Sequence, residues 1–297
     1  MKVLLLGGSG QVGFELQRAL APVAELVVPG AAPVPRADLA DLAGLEKLVA
    51  AANPDLVVNA AAYTAVDKAE SERDLAAKIN AEAPGVLARA AAKISAPLIH
   101  YSTDYVFDGS GDAPRSEDAK TGPLNHYGTT KLAGEDAVRA AQKGHLIFRT
   151  AWVHAPHGQN FAKTMLRLAR DRDRLQVVAD QFGAPTSAEL IADATVHAVL
   201  SAKVDQGLYG TYHLVAAGET SWHGYATFLF GIAREHGLLA RIPQVEAVTS
   251  AQFVTPARRP QNSRLSTRKL RDAFGLMLPH WQHGVERLVQ ELARSKL

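Results

Sequence analysis

The first thirteen residues place a short apolar run directly in front of three regularly spaced glycines. Val3–Leu6 is apolar throughout, and the glycines follow at intervals of three residues. A strand that leads through such a loop into a helix binds the pyrophosphate of a dinucleotide, because the glycines permit a tight turn and the helix amino terminus adds free N–H groups. The predicted cofactor loop, for which a plain strand–helix turn is the alternative, consists of Gly7, Gly10, Gln11, Val12 and Gly13.

The first half of the chain alternates short apolar runs with helix-like stretches. The predicted strands are Val3–Leu6, Leu26–Val28, Leu56–Asn59, Pro97–Tyr101 and Leu146–Thr150. The predicted helices are Val12–Leu20, Leu45–Ala52, Lys78–Lys93 and Gly128–Ala141, with a start or kink at Pro84. Apolar strands joined by helices of this length are typical of a parallel sheet covered on both faces. The sequence therefore predicts an α/β fold with a Rossmann-type, doubly wound parallel sheet.

The pattern loosens after residue 150, where we expect a smaller α/β carboxyl-terminal substrate domain. The predicted elements there are the helices Phe161–Arg170, Ala188–Leu200, Trp222–His236 and Trp281–Leu292 and the strands Leu175–Val178 and Gly210–Val215. We assign residues 1–152 and roughly 174–217 to the dinucleotide-binding domain. Residues 153–173 and 218–297 are assigned to the substrate-binding domain.

Composition and charge argue against several other classes of protein. The 297 residues carry 32 Lys and Arg against 30 Asp and Glu, a net charge of +2, which does not favour a nucleic-acid or membrane-surface binder. The absence of cysteine excludes disulfides, thiolate nucleophiles and iron–sulfur clusters. We find no long apolar run typical of a transmembrane helix and no signal peptide, so we expect a cytoplasmic protein.

The end of the second predicted strand bears on the choice of cofactor. NAD-selective sites usually place a carboxylate there to hold the ribose 2′-hydroxyl, whereas Val27–Gly30 contains none. Arg36 can meet a 2′-phosphate, with a solvated loop charge as the alternative. We therefore expect NADPH as the cofactor, with NADH as the second candidate. The residues expected to flank the adenine are Asp38 and Leu39.

A tyrosine and a lysine four residues apart form the predicted catalytic pair. Tyr127 and Lys131 lie on one face of a predicted helix, and a neighbouring ammonium is expected to lower the pKa of the phenol. Tyr101–Asp104 ends a predicted strand at the edge where parallel sheets bind ligands. Thr103 supplies a hydroxyl there that can bind the same carbonyl oxygen as Tyr127. A surface pair and a turn residue are the alternatives for these positions.

Six longer segments of the sequence resemble a known protein family, and they do so more specifically than the glycine loop does. They are Gly10–Gly13, Asn59–Asp67, Ser102–Gly109, Arg149–Val153, Asp180–Thr186 and Arg259–Leu265. Together they resemble the dTDP-4-dehydrorhamnose reductase family of the extended short-chain dehydrogenases/reductases, in order and over nearly the whole chain. The resemblance implies NAD(P)H-dependent reduction of the 4-keto group of dTDP-4-dehydro-L-rhamnose to dTDP-L-rhamnose. Pro29-Gly30 departs from the family's usual second-strand region.

The same resemblance implies roles for individual positions. The catalytic set is Thr103, Tyr127 as general acid, and Lys131. The residues that line the cofactor, together with Tyr127 and Lys131, are Ala62, Tyr63, Thr64 and Tyr101. The residues that contact the nucleotide sugar, together with Thr103, are Asp104, Trp152, Arg259 and Asn262. For Trp152, a core position between the two domains is the alternative.

The resemblance also implies a metal site and an oligomer. Glu15, Glu189 and Glu291 occupy positions at which some family members bind Mg²⁺ across a homodimer, and carboxylate oxygens suit that ion. Surface glutamates on helices are the commoner explanation. From the resemblance we therefore expect a bound Mg²⁺ and a homodimer.

Two other functions compete with the reductase. One is a non-catalytic regulatory subunit of the same fold, which would have little need for the complete set of Thr103, Tyr127 and Lys131. The other is a nucleotide-sugar epimerase or dehydratase, which would hold its nicotinamide without releasing it. The sequence Asp104-Tyr105 is compatible with an epimerase or dehydratase, so this alternative stays open.

Overall fold

The structure is a computed structural model that describes residues 1–32, 34 and 36–295. The strands are β1 (Lys2–Leu6), β2 (Glu25–Val27), β3 (Leu56–Asn59), β4 (Leu98–Thr103), β5 (His145–Thr150), β6 (Val153–His154), β7 (Arg174–Val178), β8 (Phe182–Gly183), β9 (Thr186–Ser187), β10 (Gly210–His213), β11 (Thr220–Ser221) and β12 (Gln244–Val248). The α-helices are α1 (Gln11–Leu20), α2 (Leu42–Ala52), α3 (Arg73–Ala77), α4 (Ala83–Lys93), α5 (His126–Ala141), α6 (Phe161–Asp171), α7 (Ala188–Val204), α8 (Trp222–Glu235), α9 (Arg268–Phe274) and α10 (Trp281–Arg294).

A six-stranded parallel sheet forms the centre of the larger unit, in the order β10-β5-β4-β3-β1-β2. The chain moves from β1 to one neighbour, β2, and then crosses to the other neighbour, β3. This reversal opens a crevice at the carboxyl ends of β1 and β3, where doubly wound sheets bind ligands. The predicted Rossmann-type, doubly wound sheet is confirmed.

Helices cover both faces of the sheet, which explains why its strands are apolar throughout. Leu16 of α1 and Ile191 of α7 belong to the core on one face. Leu45 of α2, Leu87 of α4 and Val138 of α5 belong to the core on the other. The two layers leave the carboxyl edge of the sheet open for a site.

A smaller unit has its own core, built from α6, α8, α10 and the parallel pair β7–β12. Tyr225, Phe230 and Trp281 are buried there. The sequence prediction placed residues 174–217 with the larger unit, and for β7 this is wrong. Leu175 and Val177 alternate into the smaller core, while α7 and β10 pack with the main sheet as expected. Residues 296–297 of the predicted second domain lie outside the described residues.

The predicted helix Lys78–Lys93 is one part of a longer helical stretch. It begins with α3, passes through a π-helix at Lys78–Glu82 and continues as α4. Pro84 lies in the first turn of α4. A proline is tolerated there because the N–H that it lacks would have little part in the hydrogen bonds of that helix. The π segment packs tightly on α5, since a Cβ on Gly134 would lie 2.1 Å from the carbonyl oxygen of Asn80. The helical stretch thereby supports the helix that carries the predicted catalytic pair.

None of the helices in the described part of the chain is long and apolar enough to cross a bilayer.

Candidate active site

The glycine loop lies at the carboxyl end of β1 and leads into α1. Gly7 has a φ of 80°, and a Cβ there would lie 2.6 Å from the backbone nitrogen of Ala61. A Cβ on Gly13 would lie 2.0 Å from the carbonyl oxygen of Gly7. Gly10 is the N-cap of α1, so no side chain caps the first N–H groups of the helix, and its first turn has no acidic residue. These features fit the pyrophosphate of a dinucleotide.

The segment after β2 flanks the glycine loop on one side. A Cβ on Gly8 would lie 2.5 Å from Cγ1 of Val28, so the two segments touch. The side chain of Arg36 lies against Gly30, because a Cβ on that glycine would be 3.2 Å from Cγ of Arg36. Arg36 and Asp38 line a cavity of about 360 Å³. Both residues therefore lie beside the end of β2, and the neighbouring Leu39 packs on the core under α2.

The segment after β3 flanks the loop on the other side. The Asn80 side chain holds the backbone of this segment through two hydrogen bonds. The N–H of Tyr63 donates to Asn80 Oδ1 at 2.9 Å, and Asn80 Nδ2 donates to the carbonyl oxygen of Tyr63 at 3.0 Å. Asn80 Nδ2 also lies 3.2 Å from the Thr130 hydroxyl, which ties this segment to α5. The segment contains the predicted cofactor residues Ala62, Tyr63 and Thr64.

The predicted catalytic hydroxyls lie together at the end of β4. Thr103 is the last residue of β4, and Tyr127 lies in the first turn of α5, which Asn125 caps by accepting the Gly128 N–H at 2.8 Å. Burial raises the pKa of Tyr127 to about 12, and the neighbouring Thr103 hydroxyl opposes the shift. The phenol is therefore protonated at neutral pH.

Lys131 lies one turn beyond Tyr127 and is only 2% exposed. Its Nζ donates a 2.6 Å hydrogen bond to the carbonyl oxygen of Tyr101. Burial lowers the pKa of Lys131 to about 8, and the Glu135 carboxylate opposes the shift. The expectation that Lys131 lowers the pKa of Tyr127 is wrong in this structure, because the amine is directed at the backbone of β4 and burial of the phenol dominates.

Asp104 follows Thr103 and is 2% exposed. Its Oδ1 accepts a 3.1 Å hydrogen bond from the Thr103 hydroxyl. Burial raises the pKa of Asp104 to about 6, and the nearby Ser263 and Thr103 hydroxyls oppose the shift. A carboxyl group whose charge changes just below neutral pH thus lies beside the two hydroxyls.

Arg259 reaches the same region from the carboxyl-terminal loop. Its Nη2 donates to Asp67 Oδ2 at 2.9 Å, and its guanidinium lies close enough to Tyr105 to lower the pKa of that phenol. The ring of Tyr105 meets that of Tyr127 edge-on, with 5.7 Å between centroids. A single aromatic ring therefore separates Arg259 from the predicted general acid.

Two adjoining cavities extend from Arg259. Their volumes are about 300 and 590 Å³, which suits a nucleotide-sized ligand. The residues that line both are Gln181, Phe253, Thr255 and Arg259. Phe161 and Trp222 add aromatic surface to the smaller cavity.

Trp152 follows β5 with a φ of 51° and stacks on Trp222, with 3.6 Å between ring centroids and 14° between planes. A Cβ on Gly183 would lie 2.9 Å from Cε2 of Trp152, so that glycine permits the close approach. This packing fits the alternative interpretation of Trp152 as a residue between the two units. Trp222, whose Nε1 donates to Gln181 Oε1 at 3.1 Å, is the tryptophan that lines the cavity.

The side chains of Asn262 and Tyr101 are engaged within the protein. Asn262 Nδ2 donates to the carbonyl oxygens of Ser110 and Ala113, at 3.2 and 2.9 Å. The Tyr101 hydroxyl lies 2.8 Å from that of Thr195 in α7, and only its backbone carbonyl meets Lys131. In this structure both side chains support the site, and neither is directed into the two cavities.

The three glutamates come together at one cavity of about 240 Å³. Glu15 accepts from Arg18 Nε at 2.9 Å, and Glu189 accepts from Arg287 Nη2 at 2.6 Å. Burial, followed by the proximity of the other two carboxylates, raises the pKa of Glu291. Within residues 1–32, 34 and 36–295, no group of three or more His, Asp or Glu side chains is arranged to hold a metal ion.

Several residues of this region had no signal in the sequence. Asn80 bridges the β3 segment and α5 from within a π-helix, and Tyr105 links Arg259 to Tyr127. Phe253 lines both cavities from an irregular loop. Each depends on a contact between segments distant in the chain, so no local spacing points to it.

The fold and this edge of the sheet define a class of protein, the Rossmann-type oxidoreductases that use a nicotinamide cofactor. Residues 1–294 match the family described as RmlD substrate binding domain. The chain belongs to that family.

Similar proteins of known name indicate which members of this class the chain resembles. The chain is 51% identical over 293 residues to the dTDP-4-dehydrorhamnose reductase of Escherichia coli K12, covering 98% of each sequence. A crystal structure of the Clostridium acetobutylicum reductase of that name superposes with a TM-score of 0.89 at 36% identity, covering 98% of this chain and 99% of that one. The Bacillus anthracis reductase, solved in complex with NADP, has a TM-score of 0.87 at 33% identity with the same coverage.

Proposed function

We propose that this chain reduces the 4-keto group of dTDP-4-dehydro-L-rhamnose to dTDP-L-rhamnose with NADPH, and that Thr103, Tyr127 and Lys131 are its catalytic residues. The observation that carries the proposal is that the Tyr127 and Thr103 hydroxyls are neighbours at the carboxyl edge of β4. Tyr127 can donate to one carbonyl oxygen, and Thr103 can donate to the same oxygen once its proton leaves Asp104 Oδ1. The same product would supply a sugar for lipopolysaccharide or cell-wall polysaccharide, with the reaction in the cytoplasm where NADPH is regenerated.

The residues divide the chemistry between them. A bound reduced nicotinamide supplies hydride to the sugar carbon, and negative charge develops on the keto oxygen. Tyr127 donates its proton to that oxygen, and burial keeps the phenol protonated at neutral pH by raising its pKa to about 12. Thr103 donates a second hydrogen bond to the oxygen, and Lys131 binds the ribose of the cofactor.

The nucleotide sugar is proposed to occupy the two adjoining cavities. Arg259 is placed to bind the diphosphate, because an arginine fork matches phosphate oxygens. Asp104 would contact the sugar beside Thr103. On this proposal the larger unit, 1–152 with most of 179–217, binds the cofactor, and the smaller unit, including β7, binds the substrate.

The test is a direct assay of the purified chain. NADPH oxidation is followed by its nicotinamide absorbance, with dTDP-4-dehydro-L-rhamnose generated in place from dTDP-glucose by upstream enzymes. We expect turnover and a product that is dTDP-L-rhamnose by NMR. Oxidation of NADPH without that product, or cofactor retained through purification and never released, would favour the epimerase or dehydratase alternative.

Cofactor choice gives a second prediction. If Arg36 meets the 2′-phosphate, Arg36→Ala should lower kcat/KM for NADPH by about tenfold and change kcat/KM for NADH less than twofold. Lys47→Ala, at the same cavity, is the matched control for a general loss of positive charge. Equal losses for both cofactors in Arg36→Ala would contradict the role of Arg36.

Magnesium and a homodimer are proposed from the cavity that Glu15, Glu189 and Glu291 share. The ion pairs with Arg18 and Arg287 compete with a cation for two of these carboxylates, so no step of the reaction is assigned to the metal. We expect light scattering to give a dimer in Mg²⁺ that dissociates in EDTA, and Glu291→Gln to dissociate in both. An unchanged mass in EDTA would contradict the metal bridge.

A further inference from the structure

A third ionisable side chain lies on the face of α5 that carries Tyr127 and Lys131. Glu135 follows Lys131 at the same spacing of four residues, so the three side chains are successive neighbours along one side of the helix. Glu135 is fully buried, and the mechanism proposed above does not use it. A buried carboxylate is costly unless it is paired, so its presence there requires a physical reason.

The partners of Glu135 keep it charged. Its Oε1 accepts from Arg149 Nε at 2.9 Å, and its Oε2 accepts from Arg149 Nη2 at 2.7 Å and from Arg139 Nη1 at 2.9 Å. Burial alone would raise the pKa of Glu135, but these bonds hold that pKa below its usual value. Arg149 is 3% exposed and also donates to the carbonyl oxygen of Glu117 at 3.2 Å.

This ion pair joins α5 to the strands beneath Lys131. Arg149 lies in β5 directly opposite Ser102 of β4, next to the pairing of Thr150 with Thr103. Lys131 donates to the preceding β4 residue, Tyr101. The carboxylate of Glu135 and the amine of Lys131 are therefore fixed against adjacent positions of the same two strands.

The other groups around Lys131 leave Glu135 as its main source of negative charge. On α5, the Tyr127 phenol is neutral at physiological pH. On β4, burial keeps the pKa of His100 well below its usual value, so that ring is neutral too. Asp104 acts on the pKa of Tyr127 rather than on that of Lys131. On β5, Arg149 is a cation, and removing Glu135 would leave it uncompensated.

We infer that Glu135 is a positioning residue for the proposed reduction: through its charge, held in place by Arg149, it keeps Lys131 an ammonium for binding the cofactor ribose. The inference rests on the proposed role of Lys131 in cofactor binding and does not depend on the identity of the sugar. Loss of that charge lowers the pKa of Lys131.

The experiment measures NADPH affinity from tryptophan fluorescence between pH 6.5 and 9.5, above the titration of the 2′-phosphate. In the wild type the affinity should fall as pH rises through the pKa of Lys131, about 8. In Glu135→Gln, which keeps the shape and removes the charge, we expect the midpoint to move down by roughly one pH unit. The kcat at pH 8 should then fall roughly fivefold, and less at pH 6.5.

Two further variants separate charge from structure. Glu135→Asp keeps the charge and should keep the wild-type midpoint even if Glu135→Gln fails to fold. Glu46→Gln, in the exposed ion pair with Lys93, is the matched control and should change nothing. A Glu135→Gln midpoint that stays at the wild-type value, a Glu135→Asp midpoint that moves, or a wild-type curve with no break would overturn the inference. Failure of the wild type to reduce the sugar would instead count against the proposed substrate, because the binding curves need only NADPH.

Discussion

Replacing Tyr127 with phenylalanine is expected to lower kcat by roughly 10²–10⁴-fold, the usual contribution of a positioned general acid. The ring and its edge-on contact with Tyr105 remain, so only the proton donor beside Thr103 is lost. The affinity for NADPH should stay within about twofold of the wild type, because the glycine loop and Lys131 are untouched. Steady-state kinetics and fluorescence titration measure the two quantities separately.

Tyr209→Phe is the matched control for that experiment. Tyr209 lines a cavity with Met1, Ser95 and Pro97, at the amino-terminal edge of the sheet, away from Thr103. The control should keep wild-type kcat and wild-type affinity. A kcat for Tyr127→Phe close to that of the control would remove Tyr127 from the mechanism and leave Thr103 or Asp104 to be tested as the donor.

Replacing Gly13 with alanine is expected to disrupt both stability and cofactor binding. The new Cβ would lie 2.0 Å from the carbonyl oxygen of Gly7, a backbone atom that cannot move aside without separating α1 from β1. We expect the free energy of unfolding to fall by about 3 kcal/mol, and NADPH affinity to fall by more than about tenfold because the first turn of α1 is displaced. Denaturant unfolding and fluorescence titration measure these effects.

Gly231→Ala provides the comparison for a glycine in a helix without such a contact. Gly231 lies inside α8, and a Cβ there would meet nothing within 4 Å. Alanine should raise the free energy of unfolding by roughly 0.5–1 kcal/mol through helix propensity and leave NADPH binding unchanged. If Gly13→Ala behaved in the same way, the close contact between α1 and β1 would not be the reason for a glycine at position 13.

The local elements could be predicted because their periods are visible in the sequence. The five predicted strands of the first half each coincide with a strand of the sheet to within two residues at either end. The spacing of four residues between Tyr127 and Lys131 correctly placed them on one face of α5, since helical geometry alone decides this. β7 was assigned to the wrong unit because a strand's own alternation does not say which core it faces.

The electrostatics of the site could not be predicted in the same way. The sequence placed an amine near a phenol and led to the expectation of a lowered pKa for Tyr127. In the structure, burial raises the pKa of Tyr127, and the Lys131 amine donates to the carbonyl oxygen of Tyr101. The packing of Trp152 could not be predicted either, because its stacking partner Trp222 lies 70 residues further along the chain. Desolvation and stacking depend on what surrounds a group in space.

The sequence by itself determined the parallel sheet, the glycine loop at its carboxyl edge and the helical face shared by Tyr127 and Lys131, because each follows from short-range spacing and backbone geometry. Only the tertiary structure decided that Glu135 and Arg149 form a buried pair beneath Lys131, that the ring of Tyr105 packs between Arg259 and Tyr127, and that β7 belongs to the smaller core. These arrangements join segments far apart in the chain. Their energies come from burial and paired charge, which exist only once the chain has folded.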